Sequence, residues 1–183
     1  MFVLHILSTK MITIIAGTNR QNSNTLKLAH YYHNALSQRG ISSEIISLTD
    51  LPADFIVSDL YGNRSEMFKA TQERISAGSK FLFVVPEYNG SFPGILKTFI
   101  DGCTFPDSFY GKKAALTGIS SGKYGNIRGI EHFTGICHYI HLHVMPLRLH
   151  IPAIDKEFDN HGNLFKEDTL RFVNQQLEQL IAF

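Results

Sequence analysis

From residue 11 onward, short and almost continuously apolar runs alternate with longer amphipathic stretches. Residues 11–16 (MITIIA) are rich in β-branched side chains and end at Gly17, the pattern of a strand covered on both faces. Across residues 24–39, Leu28, Tyr32, Ala35 and the adjacent Ala29 and Leu36 fall at helical spacing, and Gly40 supplies the stop. Residues 43–48 (SEIISL) predict a second strand, whereas residues 50–63, with Pro52 and Gly62, read as irregular. Residues 64–77 form a weakly amphipathic helix through Met67, Phe68, Thr71 and Ile75, closed by Gly78. The strongest strand is residues 81–85 (FLFVV), stopped by Pro86; a loop over residues 87–92 leads to a helix whose first position is Pro93, where a missing N–H costs nothing. Residues 114–119 (AALTGI) predict a fourth strand, and Ile127, Ile130, Thr134 and Cys137 keep helical spacing after it. Residues 141–145 are the fifth strand, ended by Pro146, and Leu170, Val173, Leu177, Leu180 and Ile181 make the stripe of a last helix.

Buried strands alternating with amphipathic helices imply a parallel sheet between two helical layers, because right-handed crossovers place helices on both faces. At 183 residues the chain has the length of one domain. No run approaches the roughly 18 apolar residues of a membrane helix. Seventeen Lys+Arg against sixteen Asp+Glu leave a net charge of +1, so neither nucleic acid nor an anionic membrane is implied as a partner. Any anion must be met by local geometry. Cys103 and Cys137 are too few for a disulfide scaffold or a cysteine-rich zinc module and read as small hydrophobes in a reducing compartment. Residues 1–10 are apolar without a basic n-region, so they read as an N-terminal extension or an early start ahead of a domain over residues 11–183. The expected location is cytoplasmic.

In an open parallel sheet, ligands bind outside the carboxyl ends of the strands. That rule selects three loops: residues 17–25, 86–92 and 120–126. The first, GTNRQNSNT, runs from a strand into a helix N-terminus, where free N–H groups and the helix dipole favour an anion. Thr18, Ser23, Asn24 and Thr25 add short polar donors and Arg20 a guanidinium. An ordinary N-cap run reads the same way. It is neither a Walker A loop nor a GxGxxG turn. In the second loop, Gly90 permits close backbone approach to a planar ligand, the N–H groups of Asn89, Gly90 and Ser91 are candidate donors to its edge, and Tyr88 or Phe92 supply apolar faces. A plain Asn-Gly turn explains that loop equally well. The third, SSGKYGN, offers Gly122 and Gly125 for tight turning and Tyr124 for stacking.

Together these residues carry a resemblance. Residues 17–23, the run Pro86-Glu87-Tyr88-Asn89-Gly90-Ser91 with the following Pro93-Gly94-Ile95-Leu96-Lys97 and Asp101, and the segment Ser121-Gly122-Lys123-Tyr124-Gly125 resemble the signature loops of the NADPH-dependent FMN reductase family. The PEYN run with P-G-x-L-K is the most specific of them, and the likeness extends over residues 11–183. The resemblance implies a flavodoxin-like three-layer sandwich with a five-stranded parallel sheet in the order 2-1-3-4-5. It also implies non-covalent FMN, reduction by NADPH or NADH, and a homodimer or homotetramer. Position by position, it assigns Thr18, Arg20, Ser23, Asn24 and Thr25 to the FMN phosphate. Pro86, Glu87, Tyr88, Asn89, Gly90 and Ser91 would line the isoalloxazine, and Ser121, Gly122 and Gly125 would complete the pocket. One departure stands out: members often carry Trp directly after the Asp, where this chain has Gly102 and Cys103.

The expected function is hydride transfer from NAD(P)H through FMN to a small acceptor such as a quinone, azo compound or flavin, with ping-pong kinetics and no catalytic side chain. The alternative is a flavodoxin-type electron carrier without a pyridine-nucleotide site, against which the near-zero net charge counts. The cluster His138, His141 and His143, the latter two on one strand face, lacks a third convergent ligand for a metal. Lys112, Lys113, Lys123 and Arg128 are candidate neighbours of a nucleotide's extra phosphate or plain surface charges.

Overall fold

The structure is a computed structural model that describes residues 11–61 and 65–183, so the proposed extension and the start of the second helix at Arg64 lie outside the described residues. The elements run β1 (Ile12–Ala16), α1 (Asn24–Gln38), β2 (Ser43–Ser47), a 3-10 turn (Leu48–Asp50), α2 (Phe55–Ser58) and α3 (Glu66–Ala77). They continue with β3 (Lys80–Pro86), α4 (Gly94–Gly102), β4 (Lys113–Ile119), α5 (Ile127–Tyr139), β5 (His143–Val144), β6 (Leu149–Ile151), a second 3-10 turn (Ile154–Lys156) and α6 (Glu167–Ala182). The strand order is β2-β1-β3-β4-β5, all pairs parallel, with β6 also on β4.

Strand side chains alternate between two apolar layers, as the two-residue period demands. Ile12, Ile14, Ala16, Leu82 and Val84 pack with Leu28, Tyr32 and Leu36 of α1 and Val173, Leu177 and Leu180 of α6. Ile15, Phe81, Phe83, Val85 and Leu116 pack on the other face with Phe68 of α3, Phe99 of α4 and Phe133 of α5. Cys137 is in this second layer, where burial pushes its thiol up to about 12 and keeps it protonated.

The structure corrects the sequence reading in three places. Helix α4 starts one residue later than expected, with Pro93 as its N-cap. The stretch read as irregular holds α2, a single turn too short for periodicity to reveal. The fifth strand is broken: β5 pairs with Lys113 and Ala114, and β6 with Thr117 to Ile119. Pro146, which has no N–H, lies in the gap, and His141 precedes the strand with φ 57°, its ring centred 4.5 Å from that of Tyr110 and tilted 37° to it. His141 and His143 therefore do not share a strand face.

Inside the break, the carbonyl of Leu116 on β4 has no strand partner and takes the side chain of Gln176 instead. Gln176 Nε2 donates to it at 3.0 Å, and Gln176 Oε1 accepts from the hydroxyls of Tyr32 and Thr117, both at 2.8 Å. All three side chains are fully buried, and that burial holds the Tyr32 phenol well above its ordinary pKa.

Gly102, one of the two residues standing where the family resemblance implies Trp, is buried. A Cβ on Gly102 would lie 2.4 Å from Cζ of Phe55, so the ring of α2 occupies the space of a side chain there.

Candidate functional site

The three loops selected from the sequence meet at the carboxyl ends of β1, β3 and β4. The first leaves β1 at Gly17, whose N–H donates to the Val84 carbonyl at 2.9 Å and so keeps the loop against β3. Thr18, almost fully buried, accepts from the Arg20 N–H at 3.2 Å and shares a 2.8 Å hydrogen bond with the Tyr88 hydroxyl. That bond joins the first loop to the second. Ser23 is the N-cap of α1, its Oγ accepting from the Leu26 N–H at 3.2 Å. Among the described residues, the N–H groups of residues 21–25 meet no acceptor within the chain. No acidic residue occupies the first turn of α1.

Residues 88–91 close a two-residue turn in which Tyr88 and Ser91 exchange N–H···O bonds of 2.8 and 3.0 Å. Its central residues, Asn89 (φ 52°) and Gly90 (φ 78°), are both left-handed, the conformation for which Asn-Gly is suited. The Ser91 N–H is therefore used within the turn, and the Glu87 N–H donates to Ile119 in the sheet. Within the turn, the amides of Asn89 and Gly90 remain free to donate.

A cavity of about 410 Å³ lies between these loops. Thr18, Arg20, Ser23, Asn24, Thr25, Pro86, Glu87, Tyr88 and Ser121 line it, as do Gln21, Asn22 and Ser120, which lie in the selected loops without an assigned role, and Ile119 and Ile154, which lie outside them. Asn89, Gly90, Ser91, Gly122 and Gly125 do not line it. Gly125 has another task. With φ 57°, it lets the third loop settle on β6, where a Cβ would be 2.6 Å from the carbonyl carbon of His150. Burial of the neighbouring His150 lowers its pKa and favours the neutral ring. Ile154 had no sequence signal, since it arrives from beyond the broken strand; its N–H donates to the Ser120 carbonyl at 3.0 Å and anchors it beside the loop.

The residues fit a flavin mononucleotide. One end of the cavity gathers unused amides, hydroxyls and a guanidinium at a helix N-terminus, the chemistry a phosphate requires. The volume lies within the roughly 300–1,000 Å³ range of small-molecule sites.

A doubly wound parallel sheet of this order, with a donor-lined cavity at its carboxyl edge, defines a flavodoxin-like nucleotide-binding protein. Comparison with known proteins narrows the class. The chain belongs to the NADPH-dependent FMN reductase family, whose sequence pattern matches residues 11–156. It is an oxidoreductase of that family, using FMN with NADPH or NADH as co-substrate. It is 27% identical over 176 residues to a 2-hydroxy-1,4-benzoquinone reductase of Burkholderia sp, covering 94% of each chain. With an NAD(P)H-dependent FMN reductase of Pseudomonas aeruginosa it shares 29% identity, over 86% of this chain and 90% of that one. The fold is shared with the flavoenzyme NAD(P)H:(acceptor) oxidoreductase FerB of Paracoccus denitrificans (TM-score 0.79, 22% identity, 94% and 96% coverage). The family match displaces the electron-carrier alternative.

Proposed function

We propose that the protein is a cytoplasmic NAD(P)H-dependent reductase of quinone-type acceptors, with FMN in the 410 Å³ cavity and its phosphate at the loop between β1 and α1. The observation that carries this reading is the donor set at that loop, where the free amides of residues 21–25 and the Arg20 side chain border one end of one cavity. Thr18, Arg20, Ser23, Asn24 and Thr25 hold the phosphate. Pro86, Glu87, Tyr88 and the turn Asn89-Gly90-Ser91 flank the ring system, the turn offering the Asn89 and Gly90 amides to its edge. Ser121, Gly122 and Gly125 shape the third side, Gly125 through its packing on β6.

Bound FMN supplies the redox chemistry, so that NAD(P)H, a quinone and one proton yield NAD(P)+ and a hydroquinone. The chain's own part is to bind, orient and exclude water; hydride transfer requires no side-chain acid or base, and none is assigned a catalytic role. The quinone class is supported by the relatives named as quinone reductases. The two substrates use the same open face in turn, which calls for ping-pong kinetics, and a homodimer or homotetramer is the expected assembly.

Initial rates at several fixed NADPH concentrations test the scheme: double-reciprocal lines against quinone should be parallel, and intersecting lines would exclude it. Arg20→Ala is expected to weaken FMN binding by about 1.5–3 kcal/mol, the worth of a charge-assisted hydrogen bond. Fluorescence titration of the apoprotein with FMN measures it, and an unchanged Kd would remove Arg20 from the phosphate site.

A further inference from the structure

A second hollow of about 200 Å³ lies beside the large cavity, walled by Glu87, Tyr124, Ile127 and Arg128. Glu87 borders both spaces, so the hollow adjoins the end of the site formed by the second loop. Arg128, in the first turn of α5, holds its guanidinium against that loop: a Cβ on Gly90 would be 3.5 Å from Nη2 and 3.7 Å from Nε.

This approach is built into the fold. Asn126, fully buried at the start of α5 with φ 62°, donates from Nδ2 to the Val85 carbonyl at 3.0 Å and fixes the helix on β3. Gly129 lets the helix close on the loop, since a Cβ there would be 2.6 Å from the Ser91 carbonyl carbon. One turn after Arg128, His132 Nδ1 and Ser91 Oγ share a hydrogen bond of 2.9 Å. The guanidinium itself makes no ion pair among the described residues, although Glu87 lines the same hollow. Tyr124 and Ile127, both substantially exposed, give the hollow an aromatic and an aliphatic wall.

A planar fork of donors over an apolar recess suits a planar aromatic anion, because the guanidinium takes two oxygens side by side while the ring covers apolar surface. We propose that Arg128 selects the electron acceptor: the hollow takes an aromatic ring bearing an ionised oxygen, such as an acidic hydroxyquinone or an aromatic carboxylate, with the anionic oxygen on the guanidinium. The proposal rests on the reading of the larger cavity as the FMN site. The other source of an anion here is a phosphate of the nicotinamide nucleotide.

Equilibrium titration of the FMN-loaded protein with 4-hydroxybenzoate and its neutral counterpart 4-hydroxybenzamide tests the site without turnover. The carboxylate should bind about tenfold more tightly than the amide, the factor a single charge-assisted hydrogen bond supplies. In Arg128→Gln the preference should vanish, while flavin occupancy and Tm stay as in the parent and the amide binds as before. Arg128→Lys should recover part of it, since a point charge lacks the fork. Equal binding of the two probes by the parent protein, or a preference that survives in Arg128→Gln, overturns the proposal. So does a variant that keeps the preference and loses affinity for NADPH alone, which would give the guanidinium to the nucleotide. If the preference holds and NADPH fails to bleach the flavin, the reductase reading is at fault and the anion subsite stands.

Discussion

Gly125→Ala should lower the stability of the protein by about 3 kcal/mol or more, the sum of a left-handed alanine and an overpacked contact. A Cβ at this position would stand 2.6 Å from the His150 carbonyl carbon and 2.7 Å from the Ile151 nitrogen, both backbone atoms that cannot rotate away. The opposite side offers no relief, because the Gly125 carbonyl oxygen already packs against Gly118, 2.5 Å from where a Cβ on that residue would stand. The damage should reach the site as well. β6 leads directly to Ile154, and both are tied to the third loop through the Ser120 N–H donating to Ile151 at 3.1 Å and the Ile154 N–H donating to Ser120. Urea unfolding should show a lower midpoint with a similar slope, and FMN should bind more weakly. A midpoint equal to the parent's would mean that β6 yields freely to the loop.

The second large effect is expected from Gln176→Met, which keeps the volume and removes the amide. Leu116 O would lose its donor inside the sheet, and the hydroxyls of Tyr32 and Thr117 would be left with only each other at 2.9 Å. Each stranded buried polar group costs about 1–3 kcal/mol, so a loss of about 3 kcal/mol is expected. Tyr32→Phe, which removes one donor and strands no carbonyl, should cost less. Should the two variants prove equally stable, the amide would not be standing in for the missing strand.

These two predictions mark where the sequence stopped being legible. The alternation of buried runs and amphipathic helices was enough for the layers, the sheet order followed from the family resemblance, and the carboxyl-end rule located all three loops that meet at the cavity. Pro146 reads as the end of the fifth strand because a missing N–H looks the same at an end and at a break. Three residues of β6 are too few to register a period, and Gln176 lies among polar residues of a helix with nothing local to say that it is fully buried. Within the site, short-range chemistry was readable: Ser23 as a cap and Asn89-Gly90 as a turn follow from their own side chains. Contacts set by tertiary geometry were not. The Ser91 amide is consumed by its own turn, Gly125 serves packing on β6, and Ile154 reaches the cavity from a distant segment. From the sequence Arg128 is one of four candidate cations; its approach to Gly90 and its place in the wall of the second hollow separate it from the others.

The most direct test of the account is the visible spectrum of purified protein reconstituted with FMN, taken under nitrogen before and after one equivalent of NADPH. Retained yellow flavin that bleaches without a partner protein, and regains its colour when a quinone is added, is the predicted result. Protein that fails to hold FMN at micromolar concentration, or whose bound flavin keeps its absorbance in the presence of NADPH, would contradict it.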